Sequence, residues 1–309
     1  MSEGSDVAFG VDPVDMGLGQ LAQVESLKTI FDLSGKVALV TGGVGLAMHV
    51  INRLGECGAS VVFMCRTEQN GKRVEQIMRD KGYKVTYFQG DVSKPEDNYA
   101  AVELAESTYG TIDIVVPVAA FWKNRAFVDV TPEDLAEIVN IDTIGQYFTV
   151  QAAVKSMIRG GKGGKVVTIA SVAHRADDLP NLGTMTMYNL AKGGVVSMTR
   201  GIAKELKQYG INVNCVAPGS MMTPGAMGNT FEAVGLYGEE FMGAMMEAAQ
   251  LVPGSVTPDD VARVILCLCT DIACFMYGQV VEVDGGSQYS FQKRPWSITM
   301  ESGVPGATA

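Results

Sequence analysis

The sequence predicts an α/β fold, a doubly wound parallel sheet in a single domain, and three observations lead there. From Lys36 onward, short β-branched runs alternate with segments of helical period, the pattern of parallel strands joined by crossover helices. The runs are apolar throughout rather than alternating, as in strands covered on both faces. A chain of 309 residues with 47% hydrophobic and 19% charged content also carries enough apolar surface for a sizeable core, unlike a disordered chain.

Strands are expected at 36–41 (KVALVT), 60–65 (SVVFMC), 84–89 (KVTYFQ), 112–118 (IDIVVPV), 165–170 (KVVTIA), 211–217 (INVNCVA) and 279–283 (QVVEV). Helices fill the gaps at about 46–57, 69–81, 95–109, 132–159 with a break, 188–209 and 258–270. Thr131-Pro132-Glu133-Asp134 and Thr257-Pro258-Asp259-Asp260 each place a capping hydroxyl before a proline at the first helical position. The acids that follow suit the positive end of a helix. The sheet domain therefore covers residues 36–286, between an N-terminal extension of 1–35 and a tail of 287–309. In the extension, Leu21, Val24, Leu27, Ile30 and Phe31 recur near a 3.6 period, so a short amphipathic helix is expected there, docked on this subunit or on a neighbour.

Composition excludes several function classes. With 34 acidic against 24 basic residues, the chain lacks the concentrated basic face that nucleic-acid binding requires. No run approaches the roughly 20 apolar residues of a membrane span, and the opening MSEGSDVAFGVDPVD lacks the features of a signal peptide, so a cytoplasmic protein is expected. The cysteines at 57, 65, 215, 267, 269 and 274 contain no C-x-x-C pair and lie among apolar neighbours, which predicts buried free thiols. Two histidines, His49 and His174, do not make a typical zinc site, and no metal is expected.

The first strand runs into Thr41-Gly42-Gly43-Val44-Gly45-Leu46-Ala47 and then into a helix. Glycines at that point let the backbone turn tightly and approach a pyrophosphate held at the helix N-terminus, a Rossmann-like dinucleotide site. The second strand ends at Met64-Cys65-Arg66, with no acid to take the adenosine ribose hydroxyls. Arg66 instead offers a fork of donors for a 2′-phosphate, so NADP(H) is the preferred cofactor. NAD(H) is the alternative, with Arg66 solvated or stacked on adenine.

Tyr188 and Lys192 are four residues apart and share one helical face. A phenol with an ordinary pKa near 10 moves protons poorly at neutral pH unless a neighbouring cation stabilises its phenolate, and Lys192 is placed to be that cation. Ser171, closing the fifth strand, puts a hydroxyl where a substrate oxygen would sit.

Taken together, TGGVGLA (41–47), Asp91-Val92, Ser171, YNLAK (188–192), NVNCVAPG (212–219) with Thr223, and GQVVEVDGG (278–286) make the chain resemble the short-chain dehydrogenase/reductase family from Lys36 to about Gly286. The resemblance implies an NAD(P)-dependent oxidoreductase in which Tyr188 is the general acid/base, Lys192 also holds the nicotinamide ribose, and Ser171 orients the carbonyl or alcohol. It further implies a cofactor site built from Thr41, Gly42, Gly43, Gly45, Leu46, Arg66, Asp91, Val92, Ala119, Pro218, Gly219 and Thr223, with Val92 meeting adenine and Thr223 the carboxamide or phosphate. A homo-oligomer, tetramer or dimer, is implied as well.

This sequence departs from the family pattern in four places. The glycine turn is one residue shorter and ends in Ala47. The Asn-Asn-Ala-Gly after the fourth strand reads Pro117-Val118-Ala119-Ala120, which removes an amide that braces the sheet. In NIDTIG (140–145), Asp142 takes the place of the catalytic asparagine, whose backbone carbonyl holds a relay water; 2,4-dienoyl-CoA reductases share this Asp but lack the tyrosine. Ser171 and Tyr188 are 17 residues apart, and the extra residues His174, Arg175, Asp177 and Asp178 border the pocket.

A substrate lid is expected at about 219–253, rich in methionines that include Met221 and Met222, and Met185 and Met187 flank the catalytic helix. Such soft linings suit a bulky apolar secondary alcohol such as a hydroxysteroid, with His174, Met221 and Met222 as substrate contacts. An enoyl or dienoyl thioester reductase and a non-catalytic NADP(H)-sensing protein are the alternative functions.

Overall fold

The computed structural model describes residues 26–176, 184–221 and 256–286, together with Thr223, Gly225, Gly228, Gly235 and Gly238. Seven strands form one sheet: β1 (Val37–Thr41), β2 (Ser60–Cys65), β3 (Val85–Gln89), β4 (Ile114–Pro117), β5 (Gly164–Ile169), β6 (Ile211–Pro218) and β7 (Val280–Val283). All pair in parallel, in the order β3-β2-β1-β4-β5-β6-β7. Each lies within two residues of its expected ends; β1, β2 and β4 are buried throughout, as expected of strands covered on both faces, whereas the edge strands β3 and β7 are mostly half-buried.

The crossovers are α2 (Leu46–Glu56), α3 (Glu68–Asp80), α4 (Pro95–Thr108), α5 (Pro132–Val139), α6 (Gln146–Gly160), α7 (Thr186–Leu206) and α8 (Pro258–Cys269), preceded by the short α1 (Leu27–Ile30). Thr131 caps α5 by accepting from the Asp134 N–H, and Thr257 with Asp260 forms a reciprocal capping box on α8. The break expected within 132–159 is a six-residue π-helical segment, Asn140–Gly145, between α5 and α6.

Alternate residues of β1 feed two cores. Ala38 and Val40 pack with Ile51, Leu54 and Ile265 on the α2 and α8 side. Val37 and Leu39 pack with Ala101, Ala153 and Met157 on the α4 and α6 side. Arg53 on α2 grips Asp259 on α8 through two hydrogen bonds of 2.8 and 2.6 Å, fixing those helices together.

From the neighbouring strands β1 and β4 the strand order runs outward in opposite directions, so their carboxyl ends open the crevice in which such sheets bind ligands. Of the amphipathic pattern near the N-terminus, Leu21 and Val24 lie outside the described residues, while Leu27 is exposed and Phe31 packs against the core. All six cysteines are free, but only Cys65, Cys215 and Cys269 are buried; Cys57 and Cys267 are half-buried, and Cys274 is exposed, since it follows the short turn Asp271–Ala273 at the surface. Among the described residues, no helix is long and apolar enough to cross a membrane, and no group of three or more His, Cys, Asp or Glu side chains could hold a metal ion.

Candidate active site

The crevice begins at the glycine turn. Gly42 has φ 91°, and Gly45, the N-cap of α2, has φ 60° and ψ −130°, a region essentially closed to other residues. A Cβ on Gly43 would sit 2.7 Å from the Cys65 sulfur, so the turn lies directly on the end of β2. No side chain caps α2, which leaves its first N–H groups for an anion. Thr223 closes over the turn, its Cβ 3.4 Å from where a Gly45 Cβ would be. The cradle therefore fits a pyrophosphate despite its shortened sequence. Leu46 and Ala47, both buried, anchor the start of the helix, and the Ala47 methyl limits position 42 to glycine size, since a Cβ added to Gly42 would lie 3.1 Å from it.

The brace expected to be lost after β4 is replaced. The buried Thr41 hydroxyl accepts from the Ala119 N–H at 3.2 Å, joining the ends of β1 and β4 at the switch point.

Arg66, exposed beyond β2, and Asp91, beyond β3, face the same end of the crevice. Burial works against the Asp91 charge, yet the Ser93 N–H and hydroxyl, with Arg66 and Lys94 nearby, hold its carboxyl below the usual aspartate value. Val92 is buried against Gly145, where an added Cβ would be 3.0 Å from the valine methyl.

Tyr188 and Lys192 project from α7 as their spacing predicts, with the Lys192 Nζ 5.4 Å from the centre of the Tyr188 ring. Lys192 is 1% exposed and donates to the Ile169 carbonyl at the end of β5, 3.2 Å away. Its second contact is the carboxylate of Asp142, 3.0 Å from Oδ2, in a residue with no exposed surface. The other oxygen, Oδ1, accepts from the Phe121 N–H at 2.6 Å. Oδ2 receives no well-aligned hydrogen bond, so its interaction with the ammonium is chiefly one of charge. Burial pushes the Asp142 carboxyl up, against the pull of Lys192. Burial pulls the other way on Lys192, but Asp142, with Tyr188 and Cys215, outweighs it and holds the ammonium above its ordinary value.

The local fold explains why these groups meet. Thr143 donates to the Ala191 carbonyl at 2.9 Å, and Gly194 lets α7 approach, since an added Cβ would lie 3.1 Å from the Thr143 methyl. Buried Gln146 both accepts from the Ile169 N–H and donates to its carbonyl, at 3.0 and 2.8 Å, locking the π segment to the end of β5. A π turn shifts the backbone register by one residue and is frequent at functional sites.

Ser171 lies just past β5, where its hydroxyl accepts from the Ala173 N–H at 3.2 Å and reaches the Pro218 carbonyl at 3.4 Å. Pro218 ends β6, and Gly219 passes so close to Asp284 that a Cβ would be 2.7 Å from its Cα. His174 is held by its neighbours: its Nδ1 lies 2.8 Å from the Ser171 carbonyl and its Nε2 3.9 Å from Glu282, which also binds Arg175 at 2.9 Å. Met187 is core, packed with Ile138 and Ala191, and Met221 is half-buried against the core beside Val256. Met222, Asp177, Asp178 and most of the expected lid lie outside the described residues.

Two contributors have no sequence motif. Trp122 follows the fourth strand and sets its ring 6.2 Å from that of Tyr188. Gln146 is the other; only its place beside a broken helix hinted at a buried role.

Comparison with known proteins agrees with this architecture. Residues 41–288 match the family model described as enoyl-(acyl carrier protein) reductase. L-rhamnose-1-dehydrogenase of Scheffersomyces stipitis is 30% identical over 82% of this chain and 96% of its own. Dehydrogenase/reductase SDR family member 4 of Rattus norvegicus is 34% identical over 82% of this chain and 88% of its own. The crystal structure of actinorhodin polyketide ketoreductase with NADPH superposes with a TM-score of 0.75 at 26% identity, covering 82% of this chain and 97% of that one. Levodione reductase gives 0.74 at 26% identity, covering 84% and 98%. With a parallel seven-stranded sheet, a glycine cradle at its switch point and these relatives along most of its length, the chain belongs to the short-chain dehydrogenase/reductase family and is an NAD(P)-dependent oxidoreductase.

Proposed function

We propose that the chain interconverts a bulky apolar ketone and its secondary alcohol, with NADP(H) as the preferred cofactor and a hydroxysteroid as the model substrate. The observation that carries the chemistry is the Tyr188 phenol lying over the buried Lys192 ammonium at the carboxyl end of the sheet. A bound nicotinamide supplies or takes the hydride. In the reducing direction Tyr188 gives its proton to the oxygen of the substrate as the C=O becomes an alcohol, and Ser171 holds that oxygen. The first turn of α2, with Gly42, Gly43 and Gly45, would hold the pyrophosphate, and Thr41 and Ala119 keep the two strand ends that flank it in place. Leu46, Pro218, Gly219 and Thr223 border the same cradle, and Asp91 and Val92 serve the adenine.

Arg66 supports the choice of NADP(H), as the charged donor at the end of β2 where an acid would favour NAD(H). An apolar substrate is supported by Trp122, which gives Tyr188 a flat hydrophobic neighbour. A homo-oligomer belongs to this reading, supported by Ile144, Tyr147 and Leu190, exposed on the segments around α6 and α7. The second reading, a thioester reductase, is favoured by Asp142 and by the description of the matching family model.

Steady-state assays on a panel of steroid ketones, small sugars and enoyl thioesters separate these readings. Turnover of the ketones with NADPH is expected; turnover of thioesters alone favours the second. Tyr188→Phe should lower kcat by about 10²- to 10⁴-fold, the usual contribution of a positioned acid/base. Full activity in that variant removes the mechanism, and NADPH binding without turnover of any substrate leaves a cofactor sensor.

A further inference from the structure

We infer that the Asp142 carboxylate neutralises Lys192, keeps the Tyr188 hydroxyl protonated at neutral pH, and so makes this site a proton donor poised for reduction. This rests on the reading of Tyr188 as the acid/base and deepens it. The family resemblance places an asparagine at position 142, where only a backbone carbonyl matters. Here the side chain itself enters the site, 3.0 Å from the Lys192 ammonium and tied by its other oxygen to the Phe121 N–H.

The charge balance follows from what surrounds the pair. Lys192 meets Asp142 from the π segment, Tyr188 one turn earlier on α7, the Ile169 carbonyl from β5 and the Cys215 thiol from β6. Burial pushes the Cys215 thiol up, so it carries no charge at neutral pH. On the turn after β5, His174 and Arg175 are directed to Glu282 on β7. Beside α5, Asp134 is held by Lys123 and Arg125. Among the described residues the buried cation thus has one buried anion, and the pair sums to zero.

An uncompensated cation about 5 Å from the oxygen of a phenol lowers its pKa by on the order of two units at an effective permittivity near 20, and the Lys192 ammonium lies 5.4 Å from the centre of the Tyr188 ring. With Asp142 in contact, most of that effect is cancelled. A phenol that keeps its proton at neutral pH gives it to the oxygen of a ketone once the carbonyl carbon has received hydride: the O–H bond of Tyr188 breaks, that of the alcohol forms, and a phenolate remains. Alcohol oxidation needs the phenolate first and is therefore slow until the pH approaches the ordinary phenol range.

Tyrosinate absorbance of the wild type minus that of Tyr188→Phe, followed against pH with no substrate present, reads this single group. The wild-type midpoint is expected at or above about 10, the ordinary phenol value. Asp142→Asn leaves the phenolate as the one counter-charge of the lysine and should lower the midpoint by one to two units, with the pH at which alcohol oxidation levels off falling in parallel. A wild-type midpoint near neutrality overturns the inference, and so does an unmoved midpoint in a folded Asp142→Asn. The wild-type titration stands even where the variant does not fold. Because the titration needs no substrate, a failed substrate panel counts against the proposed reaction alone.

Discussion

Asp142 and Lys192 show how a single side chain changes the character of a site. An isolated charge in the interior is costly, whereas a paired one is tolerated. Removing one partner of a buried pair typically costs about 3–5 kcal/mol, because the other is left uncompensated. Lys192→Met is therefore expected to lose stability on that scale, and adding Asp142→Asn should restore most of it, since the amide oxygen still accepts from the Phe121 N–H. Chemical denaturation of the single and double variants checks this; equal stability in the two would mean that the pair is not coupled. Tyr188 and Lys192 were legible from their spacing together with its setting, after the fifth strand and its closing Ser171 and before Pro218-Gly219. The partnership with Asp142 was not, because 50 residues separate Asp142 from Lys192 and only the π turn at 140–145 aims the carboxylate inward.

At the scale of elements, strands and caps were read closely from the sequence because each has a local cause: short β-branched runs for the strands, Thr-Pro-acid sequences for α5 and α8. The brace between β1 and β4 escaped because it comes from Thr41, a residue of a different strand from the motif it replaces. The contact between His174 and Glu282 escaped because nothing near the histidine in sequence reveals Glu282, 108 positions on. The glycine turn can be tested as a unit. Gly45→Ala puts a Cβ on a backbone at φ 60° and ψ −130°, costing about 1–3 kcal/mol of strain, and brings it to 3.4 Å from Thr223. If the turn relaxes to relieve that strain, the first N–H groups of α2 no longer converge. Cofactor affinity should then fall by tenfold or more while the secondary structure by circular dichroism stays native; unchanged affinity would show that the turn does not carry the phosphate.

Across the whole molecule, the proposed cofactor site draws on elements from much of the chain: the β1 turn, the ends of β2, β3 and β4, α7 and the end of β6. A ligand that binds only this folded arrangement stabilises all of it together, by about 2.7 kcal/mol at a hundredfold excess over Kd. For domains of 150–250 residues each kcal/mol raises Tm by roughly 2–4 °C, so a saturating cofactor should shift the melting curve by about 5–10 °C. The two cofactors differ only in the 2′-phosphate, and among the described residues Arg66 is the charged donor at the end of β2. NADPH should therefore give the larger shift, and Arg66→Ala should bring it down to the shift produced by NADH, which it leaves nearly unchanged. Equal shifts for both cofactors in the wild type, or equal losses in the variant, would assign Arg66 to the solvent and remove the preference for NADP(H).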